Sequence, residues 1–218
     1  MAKIFIRELD NIKKIILSLG AMVEERVRLA VAAVESKDAK AAQRVIKTDY
    51  EIDEMEVEVE EACLKVLALH QPVAVDLRFL IAVIKINNDL ERIGDQAVNI
   101  AQRVAVLAKR RDVNFHFDYA QMAEKAQTML RMSLDALVNL DEDLALKVVT
   151  LDDEVDTIQR DAYDHIKSAI KENTDKIGYM INLLLISRHL ERLADHATNI
   201  AEEVIYMIEG EIIRHGNY

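Results

Sequence analysis

The sequence predicts an all-α chain of two tandem repeats of a three-helix bundle, six long helices in all, and three observations predict it. Only five glycines and one proline occur in 218 residues, while Ala, Leu, Ile, Val, Glu and Lys dominate, which is how helices read and sheets do not. Apolar residues recur at spacings of three and four, giving each segment one apolar face. The stretch Leu90-Glu91-Arg92-Ile93-Gly94-Asp95-Gln96-Ala97-Val98-Asn99-Ile100-Ala101 returns as Leu190-Glu191-Arg192-Leu193-Ala194-Asp195-His196-Ala197-Thr198-Asn199-Ile200-Ala201, so the plan is duplicated.

The first helix runs from Phe5 to Val34, marked by Leu9, Ile12, Ile16, Leu19, Val23, Val27 and Ala30. Ser36-Lys37-Asp38 interrupts that pattern, and Asp38 is placed to N-cap a second helix carrying Val45, Ile52, Met55, Val59, Ala62 and Val66. Its opposite face, from Asp49 to Glu61, is acidic. His70-Gln71-Pro72 ends it and starts a third helix, Val73 to Ala108, because proline is tolerated only in a first turn. Lys109 to Asn114 is polar and aperiodic, which divides the chain into a first bundle at 1–108, a linker at 109–115 and a second bundle at 116–218. Helix four is expected over Phe117–Leu137, helix five over Asp141–Ile170 and helix six over Ile177–Ile208, with Asn173-Thr174-Asp175 as the cap before it. Val45, Ile46, Ile52 and Met55 reappear as Val148, Val149, Val155 and Ile158, each 103 positions on (148 − 45), whereas the Leu90 motif returns at 100 (190 − 90). The first half therefore carries about three extra residues near Pro72.

A formal net charge of −11 disfavours a nucleic-acid backbone as partner and suits cations or basic protein patches. The single Cys63 sits among apolar helix positions and reads as a core thiol in a reducing compartment. The first residues lack the apolar run of a signal peptide, and no later stretch reaches about 18 uncharged apolar residues, so a cytoplasmic protein is expected.

Each half also carries two i,i+4 acidic pairs, Asp49/Asp53 with Glu91/Asp95 and Asp152/Asp156 with Glu191/Asp195. Residues four apart lie about 40° apart around a helix, so each pair shares one face. Four carboxylates brought together would repel by several kcal/mol even at an effective dielectric near 20. Such a cluster invites hard, oxygen-loving cations, Mg²⁺, Mn²⁺, Ca²⁺ or Fe³⁺. The alternative is a solvated acidic face paired with Arg92, Arg192, Lys85 or Arg188, and spacing alone leaves both open. Gly94 in mid-helix, matched by Ala194, suggests a close helix approach. Asn99 and Asn199 could ligate or satisfy a buried backbone group. None of the six histidines follows a Glu by three, so the Glu-x-x-His signature of di-iron oxidases is absent, as are Gly-rich phosphate loops and paired cysteines. No enzyme class has a visible footing.

Gln71-Pro72 with Asp76-Leu77-Arg78, Asn88-Asp89-Leu90-Glu91-Arg92-Ile93-Gly94-Asp95, and Leu190 to Ile200 together resemble the PhoU family, the accessory regulators of bacterial phosphate uptake. The resemblance implies that the family's repeated Glu/Asp-x-x-x-Asp metal motif falls on Glu91, Asp95, Glu191 and Asp195, and extends to Asp49, Asp53, Asp152 and Asp156. It further implies a cytoplasmic homodimer holding a multinuclear metal cluster, iron first and Zn, Mn, Mg or Ca as alternatives. The implied partners are a phosphate ABC transporter ATPase and a phosphate-sensing histidine kinase, with the membrane reached only through them. Its role would be negative regulation of phosphate uptake and of the phosphate-starvation response; the alternative is a carboxylate-cluster enzyme or a metal store. Lys176-Ile177-Gly178 stands where the first half has Asp76-Leu77-Arg78, so the halves are expected to differ in occupancy or partner use.

Overall fold

Amphipathic segments of this length bury their apolar stripes against one another, and the computed structural model, which describes residues 2–109 and 119–211, shows how. The helices are α1 (Ala2–Ser36), α2 (Ala39–Lys47), α3 (Tyr50–His70), α4 (Ala74–Leu107), α5 (Tyr119–Asn139), α6 (Glu142–Glu172) and α7 (Ile177–Glu209). There is no strand among the described residues. These make six rods, because α2 and α3 are two pieces of one. In the first half α1, α2, α3 and α4 pack together, and in the second α5, α6 and α7 do; α4 lies along α7, and α1 touches α5. Buried residues of both halves, Leu19, Ile86, Leu90 and Ile100 with Met129, Ile186, Leu190 and Ile200, join one continuous apolar core.

The repeat extends to the turns. Lys37 and Leu140, 103 positions apart (140 − 37), both take left-handed backbone, with φ of 51° and 50°. The next residue in each case caps the following helix: Asp38 accepts from the Lys40 and Ala41 amides, and Asp141 from Leu144.

Two expectations need correction. The second rod is not one helix from Asp38 to His70 but breaks at Thr48-Asp49, where the Thr48 N–H closes α2 onto the Arg44 and Val45 carbonyls. Arg26 of α1 meets this turn: its guanidinium donates to the Thr48 hydroxyl and, at 2.8 Å, to Glu51, so polar side chains occupy it. Asn173-Thr174-Asp175 does not cap the last helix. Asn173 ends α6, its Nδ2 donating to the Ala169 carbonyl at 3.2 Å, and Thr174–Lys176 form a 3₁₀ turn before α7. Of the expected linker only Lys109 is described, as a turn residue; 110–118, including the expected helix start at Phe117, lie outside the described residues.

The close approach suggested by Gly94 is present. A Cβ built on Gly94 would sit 3.1 Å from Ile52 Cδ1 and 4.0 Å from Asp49 Oδ1, so α4 meets the α2–α3 break so closely that even a methyl group needs Ile52 to give by a few tenths of an ångström. Ile52 is buried. Ile52→Ala is expected to lower unfolding free energy by about 2–5 kcal/mol in urea titrations. Adding Gly94→Ala should then recover part of that loss, because the new methyl group enters the vacated space; strictly additive effects would contradict the contact.

Candidate metal centre

Helices α6 and α7 pack against each other across a short turn, and Val148 and Val155 of α6 and Leu193, Ala194, Ala197 and Ile200 of α7 are all fully buried in the shared core. Asp156 on α6 and Glu191 and Asp195 on α7 stand at the edge of that contact, half-buried. One carboxylate oxygen from each lies within 4.8 Å of the others. Oxygens around one divalent ion sit about 2.0–2.6 Å from it, so small side-chain adjustments would bring this donor set around a hard cation. Asp152, one turn before Asp156, is not within the trio but borders it, and the Thr198 hydroxyl donates to its Oδ1 at 3.2 Å.

The electrostatics agree with crowding. Burial first, and the Asp195 charge second, push the Asp152 carboxyl up to about 6. Burial followed by Asp195 raises Glu191, and burial followed by Asp156 raises Asp195. Asp152, Glu191 and Asp195 are thus made less willing to ionise by burial and then by their neighbours, which is the condition a bound cation relieves.

The first half is arranged differently. Asp53 is exposed, Asp49 lies at the α2–α3 break, and Glu91 and Asp95 are half-buried on α4. Burial and then Asp53 and Asp95 raise Asp49, and burial and then Asp95 raise Glu91, so these acids sense one another. Among the described residues, however, the trio of the second half is the only group of three potential ligands brought within 4.8 Å. The Arg92 Nε stands 3.7 Å from Glu91.

Sequence reasoning missed the polar seam between α4 and α7. The His196 Nδ1–H donates to Asp89 Oδ1 at 2.8 Å, and Asn199 Nδ2 donates to the same oxygen at 3.1 Å. The His189 Nδ1–H donates to Gln96 Oε1 at 2.9 Å. These pairs are reciprocal, since 89 and 189, and 96 and 196, are equivalent positions of the repeat; that reciprocity was the readable signal. Burial, then the charges of Arg103, Arg192 and Arg188, hold the His189 imidazole down to about 4, so it is neutral at pH 7. Further along, buried Glu203 is held by Lys85 at 3.0 and 3.1 Å. Asn199 thus serves the seam. Cys63 is fully buried, its thiol pushed up to about 12, in keeping with a core thiol.

Because the folded protein holds Asp152 protonated to higher pH than the unfolded chain does, stability from this group is lost as pH rises from about 4 to about 6. Metal-free protein should therefore lose roughly 1 kcal/mol more between pH 5 and pH 7 than Asp152→Asn does, after allowance for solvent screening of a half-exposed group. Urea melts of both proteins at the two pH values measure this, and equal slopes would contradict it. Saturating Mn²⁺ at pH 7 should return the loss, since the cation favours the ionised form.

The PhoU domain family model matches residues 16–104 and again 119–204, two copies covering most of the chain. A Phosphate-specific transport system accessory protein PhoU homolog of Pseudomonas aeruginosa is 36% identical over 212 residues, spanning 97% of this chain and 88% of that one. Its namesake in Clostridium acetobutylicum is 33% identical over 96% of each chain. The crystal structure of PhoU from Pseudomonas aeruginosa superposes with a TM-score of 0.93 at 36% identity, covering 95% of this chain and all of that one. That of the phosphate transport system regulatory protein PhoU from Streptococcus pneumoniae gives 0.86 at 31%, with 95% and 98% covered. These are names of accessory and regulatory proteins, not of enzymes. With a duplicated domain match, full-length relatives and the same six-rod fold, the chain belongs to the PhoU family.

Proposed function

We propose that this chain is a metal-binding adaptor that restrains phosphate uptake and the phosphate-starvation response, acting between a phosphate ABC transporter ATPase and a phosphate-sensing histidine kinase. The observation that carries the reading is the convergence of Asp156, Glu191 and Asp195 in a chain whose relatives are accessory proteins of phosphate-specific transport. Asp152 lies beside that trio and completes the second-half set, and Asp49, Asp53, Glu91 and Asp95 form the corresponding set of the first. The donors are all carboxylates, which favours iron as Fe³⁺, Mn²⁺, Mg²⁺ or Ca²⁺ over thiolate-seeking ions, and several such oxygens can bridge more than one ion. No helix among the described residues is long and apolar enough to cross a membrane, so contact with one would be made through partners. We place the protein in the cytoplasm as a homodimer of chains divided into bundles at 1–108 and 116–218, joined through 109–115.

The metal would act as a structural clamp. It neutralises repulsion between α6 and α7 and thereby fixes the surface that α7 and its neighbours offer to partners. Protein purified without added metal should carry a transition metal by elemental analysis, and Asp156→Asn with Glu191→Gln should lose it. In a strain deleted for the gene, phosphate-starvation transcripts should rise in high phosphate and fall again with the wild-type gene but not with the double variant. Unchanged transcription on deletion would reject the regulatory role; turnover of a phosphoester by the pure protein would favour an enzyme.

A further inference from the structure

Helix α3 packs on α1 and α4 and buries Ile52, Val59, Cys63 and Val66, while its opposite side faces solvent. Three large apolar residues stand on that open side: Tyr50, Val57 and Leu64 are 55%, 50% and 52% exposed. They are seven apart, so they drift by only about 20° per step around the helix and form one stripe along it. Glu54 and Glu61 alternate with them at spacings of three and four, and Glu58 and Glu60 border the stripe, all exposed. Lys65 is the one lysine or arginine of α3, and its ammonium is turned to Glu8 at 3.1 Å. Single exposed apolar residues are ordinary, but a row of them at helical spacing marks an interaction surface.

The repeat supplies a comparison. At the offset of 103 shared by the Lys37 and Leu140 turns, the buried Ile52, Val59 and Cys63 of α3 correspond to the buried Val155, Ala162 and Ile166 of α6. The stripe positions correspond to Asp153, Arg160 and Lys167, all charged and exposed. The inward faces of the two helices are thus alike. Outward, α6 shows the mixed charges of a solvated surface, and α3 shows apolar side chains set among acids. Packing within the chain does not account for that difference, because neither outer face enters the core.

We infer that the outer face of α3 is a docking site for a basic amphipathic helix of another protein. Tyr50, Val57 and Leu64 are spaced as the seam of a two-helix coiled coil, the path a second helix follows along the first. Glu54, Glu58, Glu60 and Glu61 call for lysines and arginines on the flanks of that helix. The same charges oppose other occupants. A second copy of the chain would bring acid against acid, and an anionic bilayer or a nucleic acid would be repelled. The inference deepens the adaptor reading and rests on it, since it names the face an adaptor offers its partner, but it does not depend on a bound metal.

Photocrosslinking in growing cells tests it. A photoreactive amino acid at position 57 or 64 should join the chain to a second protein through a helical segment rich in lysine and arginine, identified by mass spectrometry of the linked peptide. The same probe at position 160 or 167 should not. The yield at position 64 should fall at least about tenfold in Glu54→Lys with Glu61→Lys, as loss of central interface contacts does. Val57→Arg with Leu64→Lys gives α3 the face of α6. In the deletion strain this variant should fail to lower phosphate-starvation transcripts in high phosphate, while its urea melt matches wild type. Crosslinks only to another copy of the chain, to lipid or to an acidic segment, or none at all, overturn the inference, as does full complementation by Val57→Arg with Leu64→Lys. The adaptor reading survives those results if deletion itself raises the transcripts. If deletion leaves them unchanged, that reading falls and this inference with it. Should Val57→Arg with Leu64→Lys not fold, the crosslinks at 57 and 64 still decide.

Discussion

The structure turns on like charges that the packing will not let separate. Val148 and Val155 of α6 and Leu193, Ala194 and Ala197 of α7 are fully buried, and the packing of the two helices fixes their backbones. Asp156, Glu191 and Asp195 follow as passengers at its edge, their oxygens within 4.8 Å of each other. Burying a leucine-sized side chain contributes about 1.5–3 kcal/mol, so a handful of such contacts outweighs a repulsion of several kcal/mol between half-solvated carboxylates. Glu191, Asp195 and neighbouring Asp152 respond by holding protons to higher pH, and a cation can replace those protons.

The rest of the architecture supports that arrangement by symmetry. α4 and α7, the two copies of one helix, meet along the middle of the molecule, and their polar seam pairs residue 89 with 196 and residue 189 with 96. A reciprocal contact is what an internal twofold relation produces, as in a symmetric dimer fused into one chain. The copies have nevertheless diverged: Asp89 has His189 as its counterpart, Gln96 has His196, and Arg26 has Met129. In the second half three carboxylate oxygens come within 4.8 Å of one another, which the first half does not match among the described residues.

Much of the fold was legible because long helices declare themselves through periodicity, and duplication lets each half check the other. The ends of α1, α4 and α7 fall within a few residues of where apolar stripes and the Pro72 and Asp38 signals place them. The break at Thr48 was not legible, since the stripe from Val45 to Ile52 continues through it and the side chain that bonds there, Arg26, lies on another helix. An arginine between Val23 and Val27 was the available clue. The acid pairs were visible as spacings, but convergence depends on how α6 lies against α7, which spacing does not encode. For the same reason the first half, with the same residue types, does not bring three oxygens as close. The turn at Thr174 was misread because Asn173 is equally suited to ending one helix and beginning the next, and here it ends α6.

Diffraction at the manganese edge from crystals grown with Mn²⁺ would locate an ion between α6 and α7. An anomalous peak within coordination distance of Asp156, Glu191 and Asp195 is expected. A map without density there, with the three carboxylates turned to water or held by arginine side chains, would contradict it.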